Sequence, residues 1–443
     1  MPIVNVVGAG LAGCEAAYRL SKAGINVRLY EMKPVKFSPA HKSEGFAELV
    51  CSNSLKAMGL ESASGLLKEE MRLLDSVCIS AADRAKVPAG QALAVDRNIF
   101  SDIITEKIKS CENITVINQE VVDVSSLPES DAVIIATGPL TAESLAEDIK
   151  KLTGEESLSF FDAAAPVLFY DSINSDKVFR AARYGKGSDD YINCPMSREE
   201  YYAFYDALVS AETADVESFD DIKLYEGCMP VECMAARGRD TLKFGPLKPV
   251  GLTCPDGTRP YAVVQLRQDN EAGTLYNMVG FQTRLKFQEQ RRVFGMIPGL
   301  ENAEYARYGV MHRNTYIHSP GKLNRNFRLI SSTGTPIYFA GQITGVEGYM
   351  ESASSGIVAG IAVARELLGK DEKFFPTQTM IGALSNYAST FAGKDFQPMG
   401  ANFGIVDTGD LFETKVKDKA LKKRMTSENA LKYMNGFIKE CEL

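Results

Sequence analysis

The decisive stretch of this 443-residue chain reads Gly8-Ala9-Gly10-Leu11-Ala12-Gly13. The apolar run over residues 3–7 that precedes it predicts a short buried strand, and residues 14–23 after it predict a helix that ends at Gly24. Alternating apolar residues over 25–29 predict a second strand, which ends at Glu31. A strand, a glycine turn, a helix and a second strand, with an acid about 20 residues after the turn, indicate a dinucleotide-binding unit of the Rossmann type.

Each glycine of this turn has a separate physical role. Gly8 allows the tight turn, Gly10 lets a pyrophosphate approach the backbone, and Gly13 lets the helix pack closely on the strand. The first turn of the helix offers free N–H groups to the phosphates. Glu31 is placed to accept hydrogen bonds from an adenosine ribose. We therefore predict that the whole turn and Glu31 contact a dinucleotide; the alternative is a glycine-rich turn in an ordinary strand–helix–strand unit.

Two later apolar runs indicate which dinucleotide is bound. Residues 131–136 continue into Thr137 and Gly138, and residues 336–340 continue into Gly341 and Gln342 before a helical pattern rich in small residues. Two-domain flavoproteins carry both features, although they usually have Asp where this chain has Gln342. Each run alone predicts only a buried parallel strand. Together with the glycine turn they favour FAD over NAD, and without a second fingerprint of this kind NAD(P)H is expected to bind transiently.

The composition and the order of these motifs predict a two-part α/β protein. Hydrophobic residues make up 45% of the chain and charged residues 24%, which excludes a disordered chain or a fibre. We predict an FAD-binding, Rossmann-like domain of the glutathione-reductase type with an inserted, smaller mixed α/β domain. Its parts are residues 1–160, an insertion over 161–285 that helps to form the substrate site, and residues 286–443 with a C-terminal helical segment. No run approaches the ~20 apolar residues of a membrane span, and no signal peptide is apparent, so we expect a cytoplasmic protein without a membrane partner.

Basic residues are concentrated in one part of the chain. The net charge is −8, yet the segment from Arg284 to Arg328 holds nine basic and three acidic residues. The interleaved aromatic residues suit a phosphate backbone and exposed bases; they are Phe287, Tyr305, Tyr308 and Tyr316. The alternative is a solvated helix face. The residues that we predict to contact RNA are Arg284, Arg291 and Arg292.

The candidate catalytic residues of this chain are cysteines. The chain has nine, without a Cys-x2-Cys pair, and its three histidines are not spaced for zinc, so neither a disulfide framework nor a metal site is predicted. Cys51 is followed by Ser-Asn-Ser, good N-cap residues, which predicts a helix N-terminus whose dipole favours a thiolate. Cys228 lies beside Gly227 and Pro230, in a predicted turn. A buried, inert thiol is the alternative for either cysteine.

Several segments together resemble one family, the folate- and FAD-dependent tRNA (uracil-5-)-methyltransferases called TrmFO. Besides the opening turn, the segments that carry the resemblance are Tyr30–Pro34, Ala47–Ser54, Glu226–Pro230, Ala340–Tyr349 and Phe375–Thr379. The last flavin segment is also similar to the larger GidA/MnmG flavoproteins, which have a long additional C-terminal helical domain. Gln342 is the expected residue in both families.

The resemblance implies reductive methylation of a uridine in the tRNA T loop to 5-methyluridine. Methylenetetrahydrofolate is then the carbon donor and NAD(P)H the reductant. A thiolate must add to carbon-6 of uracil to make carbon-5 nucleophilic, and a second group must take the proton from carbon-5. We assign Cys228 as the nucleophile and Cys51 as the acid/base group, although the order of the two is not fixed by the sequence. The pterin is expected to stack on the flavin or on an aromatic side chain such as Tyr349.

Three alternatives stay open at this point. The first is an FAD-dependent thiol oxidoreductase that uses Cys228 and Cys233. The second is an RNA-binding flavoprotein without catalytic activity. The third is the same chemistry on a uridine of ribosomal RNA. The sequence makes no prediction about the oligomeric state or about NADH versus NADPH.

Overall fold

The structure is a computed structural model that describes residues 1–154, 158–185, 188–214, 229–332, 334–393, 396–412 and 416–442. The elements before residue 155 are, in chain order, β1 (Ile3–Val7), α1 (Leu11–Lys22), β2 (Asn26–Glu31), β3 (Ser54–Ala57), α2 (Ala63–Leu73), α3 (Val77–Arg84), β4 (Lys86–Val87), β5 (Ala92–Val95), α4 (Arg97–Lys109), β6 (Ile114–Asn118), β7 (Ala132–Ile135) and α5 (Glu143–Thr153).

The middle of the chain contributes most of the antiparallel strands. Its elements are β8 (Leu158–Ala163), β9 (Val167–Phe169), β10 (Phe179–Arg180), β11 (Tyr191–Met196), α6 (Arg198–Val209), α7 (Val231–Ala236), β12 (Ala262–Gln268), β13 (Leu275–Met278), α8 (Phe287–Phe294) and β14 (Tyr305–Arg307). The remaining elements are β15 (Met311–Tyr316), β16 (Ile337–Phe339), α9 (Tyr349–Leu367), α10 (Met380–Thr390) and α11 (Lys419–Cys441).

A five-stranded parallel sheet in the order β16-β7-β1-β2-β6 forms the first core. Two of its strands, β7 and β16, are short, wholly apolar runs because helices cover both faces of such a sheet. The chain turns in opposite directions from β1, toward β2 on one side and β7 on the other, so the carboxyl ends of these strands border a crevice. The predicted Rossmann-like α/β fold is confirmed.

Helix α9 packs directly on α1, and small residues make this approach possible. A Cβ atom added at Gly356 would lie 2.1 Å from the carbonyl oxygen of Ala12, and one added at Gly360 would lie 2.9 Å from the Cβ of Arg19. The small-residue pattern after Gln342 therefore serves helix packing. It brings the start of α9 beside the glycine turn at the start of α1.

A six-stranded sheet in the order β10-β11-β12-β13-β9-β14 carries the second core, and its paired strands are antiparallel. Three phenylalanines pack here: the ring centroid of Phe281 lies 6.3 Å from that of Phe204 in α6 and 5.3 Å from that of Phe294 in α8. The predicted second, mixed α/β unit is thus present. The division at residue 285 stays a prediction; because α8 and β14 pack into this core, we favour a second boundary after residue 307.

Strands β8 and β15 pair antiparallel where the chain passes between the two cores, with Ala163 opposite Met311. The last helix, α11, packs on α2, and its residues Ala430 and Met434 are buried in the first core. Within the described ranges, none of the helices combines the length and apolarity needed to cross a bilayer.

Candidate active site

The glycine turn between β1 and α1 is set by steric contacts. Gly8 has φ +100°, and a Cβ atom there would lie 2.7 Å from the carbonyl oxygen of Ala136. A Cβ at Gly13 would lie 1.8 Å from the carbonyl oxygen of Gly8, so only glycine lets α1 begin this close to β1. A Cβ at Gly10, in contrast, would meet no atom within 4 Å. Two glycines therefore serve packing, and the third leaves open space at the crevice.

A cleft made of two adjoining pockets, which share lining residues, runs along the carboxyl ends of the parallel strands. One end, of about 640 Å³, is lined by residues that include Gly8, Ala9, Gly10, Glu31 and Thr137. The other end, of about 710 Å³, shares Gly10 and Thr137 and is lined further by Leu11, Ala12, Cys51, Gly138, Gly341, Gln342 and Tyr349. The structure thus brings every predicted dinucleotide contact except Gly13 to one cleft, together with Cys51.

Glu31 joins the end of β2 to the glycine turn. Its buried carboxylate accepts hydrogen bonds from the N–H of Ala9 at 2.9 Å and from the N–H of Lys33 at 3.0 Å. The N–H of Ala9 is therefore hydrogen-bonded within the protein. A carboxylate has about four acceptor positions, so Glu31 keeps acceptor capacity on the side that lines the cleft.

Hydrogen bonds that could not be predicted from the sequence position the residues at the Cys51 end of the cleft. The N–H of Gly341 donates to Oγ of Ser355 at 2.6 Å, which fixes the end of β16 on α9. The side-chain amide of Gln342 donates to the carboxylate of Glu347 at 2.5 Å. Thr137 shares a hydrogen bond of 2.6 Å with Thr141. Ser355 and Glu347 are therefore positioning residues whose partners are known only from the fold.

The local structure at Cys51 differs from the prediction. The residues after it form β3, so the predicted helix N-terminus is wrong. The N–H of Cys51 instead donates to the hydroxyl oxygen of Tyr349 at 2.8 Å, and the N–H of Ser52 donates to the same oxygen at 3.2 Å. The thiol Sγ lies 3.6 Å from the carbonyl oxygen of Ala163. Burial raises the pKa of Tyr349 well above its ordinary value, which keeps its hydroxyl neutral.

Three arginines from distant elements hold the segment around Cys51. Arg97 donates to the carbonyl oxygen of Leu49 at 2.9 Å and pairs with Asp269 at 3.0 Å. Arg307 donates to the carbonyl oxygen of Val50 at 3.3 Å.

The third arginine, Arg267, donates to Oγ of Ser52 at 2.8 Å and to Oδ1 of Asn53 at 3.1 Å. The polar side chains that suggested a helix cap are therefore bound by Arg267. Burial lowers the pKa of Arg267 and of Arg307, yet guanidinium groups stay charged in proteins. This cluster places positive charge beside the thiol without a helix dipole.

The arginines predicted to contact RNA lie away from this cleft. Arg284 is mostly buried beside Glu232, with 3.8 Å between Nε and Oε1. Arg292 pairs at 2.5 Å with Glu289, one helical turn away in α8. Arg291 donates from Nε to the hydroxyl of Tyr308. Among the described residues that line the cleft, none is one of these three arginines.

Cys228 lies outside the described residues. The chain on either side is anchored to neighbouring positions: the N–H of Ala214 donates to the carbonyl oxygen of Arg284 at 2.8 Å, and the N–H of Val231 donates to that of Gln282 at 2.7 Å. Burial raises the pKa of the Cys233 thiol. The described part of the chain contains no group of three or more His, Cys, Asp or Glu side chains placed to hold a metal ion.

Comparison with known proteins identifies the family. A family model described as glucose inhibited division protein A (GIDA) matches residues 3–371. A protein of Acetivibrio thermocellus named methylenetetrahydrofolate–tRNA-(uracil-5-)-methyltransferase TrmFO is 60% identical over 436 residues, which are 98% of each chain. This chain belongs to the TrmFO family. A TrmFO of Staphylococcus aureus (strain MRSA252) is 57% identical over 438 residues, 98% of this chain and 99% of that protein.

The relation of TrmFO to GidA extends to the fold. The solved structure of Aquifex aeolicus GidA superposes on this TrmFO-family chain with a TM-score of 0.70 at 16% sequence identity. The superposition covers 99% of this chain and 73% of the GidA chain. At this identity the likeness shows a shared fold.

Proposed function

We propose that this protein transfers a one-carbon unit from methylenetetrahydrofolate to carbon-5 of a T-loop uridine in tRNA. The names of its TrmFO relatives give methylenetetrahydrofolate, tRNA and the uracil position for those proteins. One structural observation carries the proposal: the thiol-bearing residue Cys51 lines the same cleft as the glycine turn and Glu31. The use of FAD with NAD(P)H and a cytoplasmic location are parts of the same proposal.

The residues of the cleft fit FAD. Gly10 leaves open space beside the N-terminus of α1, where backbone N–H groups suit a pyrophosphate. Glu31 keeps acceptor positions for a ribose. We assign Thr137, Gly138, Gly341 and Gln342, which line the end of the cleft beside Cys51, to the part of the cofactor that reacts. When bound, FAD supplies the hydride chemistry that amino-acid side chains lack, and NAD(P)H is the source of the electrons.

The protein's own groups carry the covalent steps on uracil. The Cys228 thiolate adds to carbon-6, and the electron pair that reaches carbon-5 forms the bond to the methylene carbon of the folate as one of the two carbon–nitrogen bonds of that methylene breaks. Cys51 then takes the proton from carbon-5 while the second carbon–nitrogen bond breaks and tetrahydrofolate leaves, so the uracil carries an exocyclic methylene and is still bound to sulfur at carbon-6. A hydride that adds to this methylene makes the methyl group, re-forms the double bond between carbon-5 and carbon-6 and expels the Cys228 thiolate. Tyr349 accepts a hydrogen bond from the N–H of Cys51 and the three arginines bind the residues on either side of it, so its thiol is positioned before the substrates bind. The ring of Tyr349 lines the cleft as a stacking surface for the pterin.

The test uses the purified FAD-loaded protein with methylenetetrahydrofolate, NADPH and an unmodified tRNA transcript. Mass analysis of the nucleosides is expected to show 5-methyluridine with the wild-type protein. Cys228→Ala is expected to abolish it, and Cys51→Ala to reduce it strongly. A ribosomal RNA fragment serves as the parallel substrate.

Two results would contradict the proposal. A protein that stays colourless and does not take up FAD would exclude the flavin chemistry. If the protein methylates the ribosomal fragment but not the tRNA, tRNA is excluded as the substrate.

A further inference from the structure

Three aromatic rings form a regular stack at the start of α8, which we call the aromatic ladder. Its members are Phe287, Tyr308 and Tyr305. The ring centroids of Phe287 and Tyr308 are 4.5 Å apart with planes inclined by 21°, and those of Tyr308 and Tyr305 are 4.6 Å apart with planes inclined by 6°. Such offset stacks are favourable arrangements of aromatic side chains.

The inner part of the ladder is fixed by hydrogen bonds. The hydroxyl of Tyr305 donates to the carbonyl oxygen of Gln290 at 3.0 Å. The guanidinium of Arg291 lies 5.4 Å from the ring centroid of Tyr308 and donates to its hydroxyl. Arg291 is therefore part of the framework that orients the ladder.

The outer end of the ladder is open. Phe287 is 53% exposed, whereas Tyr305 and Tyr308 are half-buried. One face of the Phe287 ring is covered by Tyr308. The structure thus holds a flat aromatic ring in a fixed orientation at the protein surface.

The aromatic ladder is also connected to the segment of Cys51 through strand β14. Tyr305 and Arg307 belong to the same short strand, β14, and lie about 7 Å apart along it. The guanidinium of Arg307 donates to the carbonyl oxygen of Val50, the residue before Cys51. A molecule on the open face of Phe287 would therefore lie within a few nucleotide lengths of the thiol.

The charges around the ladder favour a polyanion. Lys286 precedes Phe287 and is 50% exposed, as is Arg292; Lys286 pairs with the exposed Glu212, and Arg292 pairs with Glu289. The exposed ion pair of Lys286 contributes little free energy, so a phosphate group can compete for this cation. The whole segment from Arg284 to Arg328 is basic in a chain of net charge −8.

We propose that the open face of Phe287 binds an unpaired RNA base of the same loop, a few nucleotides from the uridine that is modified. The inference rests on the proposed function, because a uridine that leaves its stack opens the stacking of the loop around it. Stacking of a base on an aromatic ring does not depend on base identity, and nearby cations hold the backbone. The ladder then keeps the displaced segment of the loop beside the cleft.

A tryptophan reporter tests this contact directly. The chain contains no tryptophan, so Phe287→Trp gives a protein with a single one. Titration of the FAD-loaded variant with an unmodified tRNA transcript is expected to quench its fluorescence saturably, because the base stacks on the indole. Tyr433→Trp, at an exposed position of α11, is the matched control and should show little quenching. A variant that binds tRNA without quenching at position 287 would overturn the proposal.

Two further variants separate stacking from apolar bulk. Phe287→Leu keeps an apolar side chain but has no aromatic face, and it is expected to weaken tRNA binding roughly 5- to 150-fold. Phe287→Tyr should bind like the wild type and melt at the same temperature, whereas Phe287→Leu loses the stacking on Tyr308 and should melt slightly lower. If the wild type methylates tRNA and Phe287→Leu binds it equally well, the ladder proposal fails alone. If the wild type neither binds nor methylates tRNA, the proposed function fails with it.

Discussion

Two alanine substitutions in one turn should have opposite effects. In Gly13→Ala the new methyl group would lie 1.8 Å from the carbonyl oxygen of Gly8, and because that atom belongs to the backbone, α1 must move away from β1. In Gly10→Ala the methyl group meets no atom within 4 Å, and the φ of −73° at this position suits alanine. The first substitution should therefore affect the fold, and the second should affect only the ligand.

The magnitudes follow from the contacts. Forcing extra volume into a packed core costs about 1–3 kcal/mol, and the upper end applies at Gly13 because the contact is with backbone. The higher helix propensity of alanine returns up to about 1 kcal/mol, so a net loss of about 2 kcal/mol remains. For Gly10→Ala we expect a change in the free energy of unfolding of no more than about 1 kcal/mol. A methyl group where the pyrophosphate approaches should weaken FAD roughly tenfold or more, the factor that about 1.4 kcal/mol represents.

Both effects are measurable on the same preparations. Thermal unfolding without added FAD, followed by circular dichroism, should show a transition a few degrees lower for Gly13→Ala and a nearly unchanged one for Gly10→Ala. Fluorescence titration with FAD should show weaker binding for Gly10→Ala. Wild-type stability of Gly13→Ala would refute the packing argument, and wild-type FAD affinity of Gly10→Ala would refute the placement of the cofactor at this turn.

Three other predictions concern the cysteine segment, the basic surface and a buried acid. Tyr349→Phe removes the acceptor of two N–H groups, and should lower the methylation rate about tenfold or more while tRNA affinity, measured by filter binding, is unchanged. Replacing both Arg291 and Arg292 by Glu should weaken tRNA binding and reduce its salt dependence, and unchanged binding at low salt would contradict this role. Burial raises the pKa of Glu70 to about 8, so its contribution to stability is largest below its unfolded pKa and is lost as the pH rises toward 8. Glu70→Gln should accordingly gain in melting temperature relative to the wild type between pH 5 and pH 8, and a constant difference would refute this.

The parts of the fold that follow from local physics were predictable. The strand over 3–7, the helix that ends before Gly24 and the strand that ends at Glu31 are confirmed as β1, α1 and β2. Glycines in a turn, and apolar residues at the helical and strand periods, act over a few neighbours in the chain. The runs that became β7 and β16 were equally clear, because a strand buried on both faces is apolar throughout.

The candidate site was predictable only in part, and the error at Cys51 shows the reason. Ser52 and Asn53 suit a helix cap, but their oxygens accept hydrogen bonds from Arg267. That arginine is more than two hundred positions away in the chain. A local pattern cannot reveal a competing partner that reaches the segment only when the two cores pack together.

The sequence by itself determined the glycine turn, the parallel strands beside it and the candidate cysteines, since each depends on neighbouring residue types. Only the tertiary structure decided that Tyr349, Arg97, Arg267 and Arg307 hold the segment of Cys51, and that Phe287, Tyr308 and Tyr305 stack into one ladder. Hydrogen bonds and ring contacts between remote segments depend on distances of a few ångströms. Those distances are fixed by the packing of the two sheets and their helices.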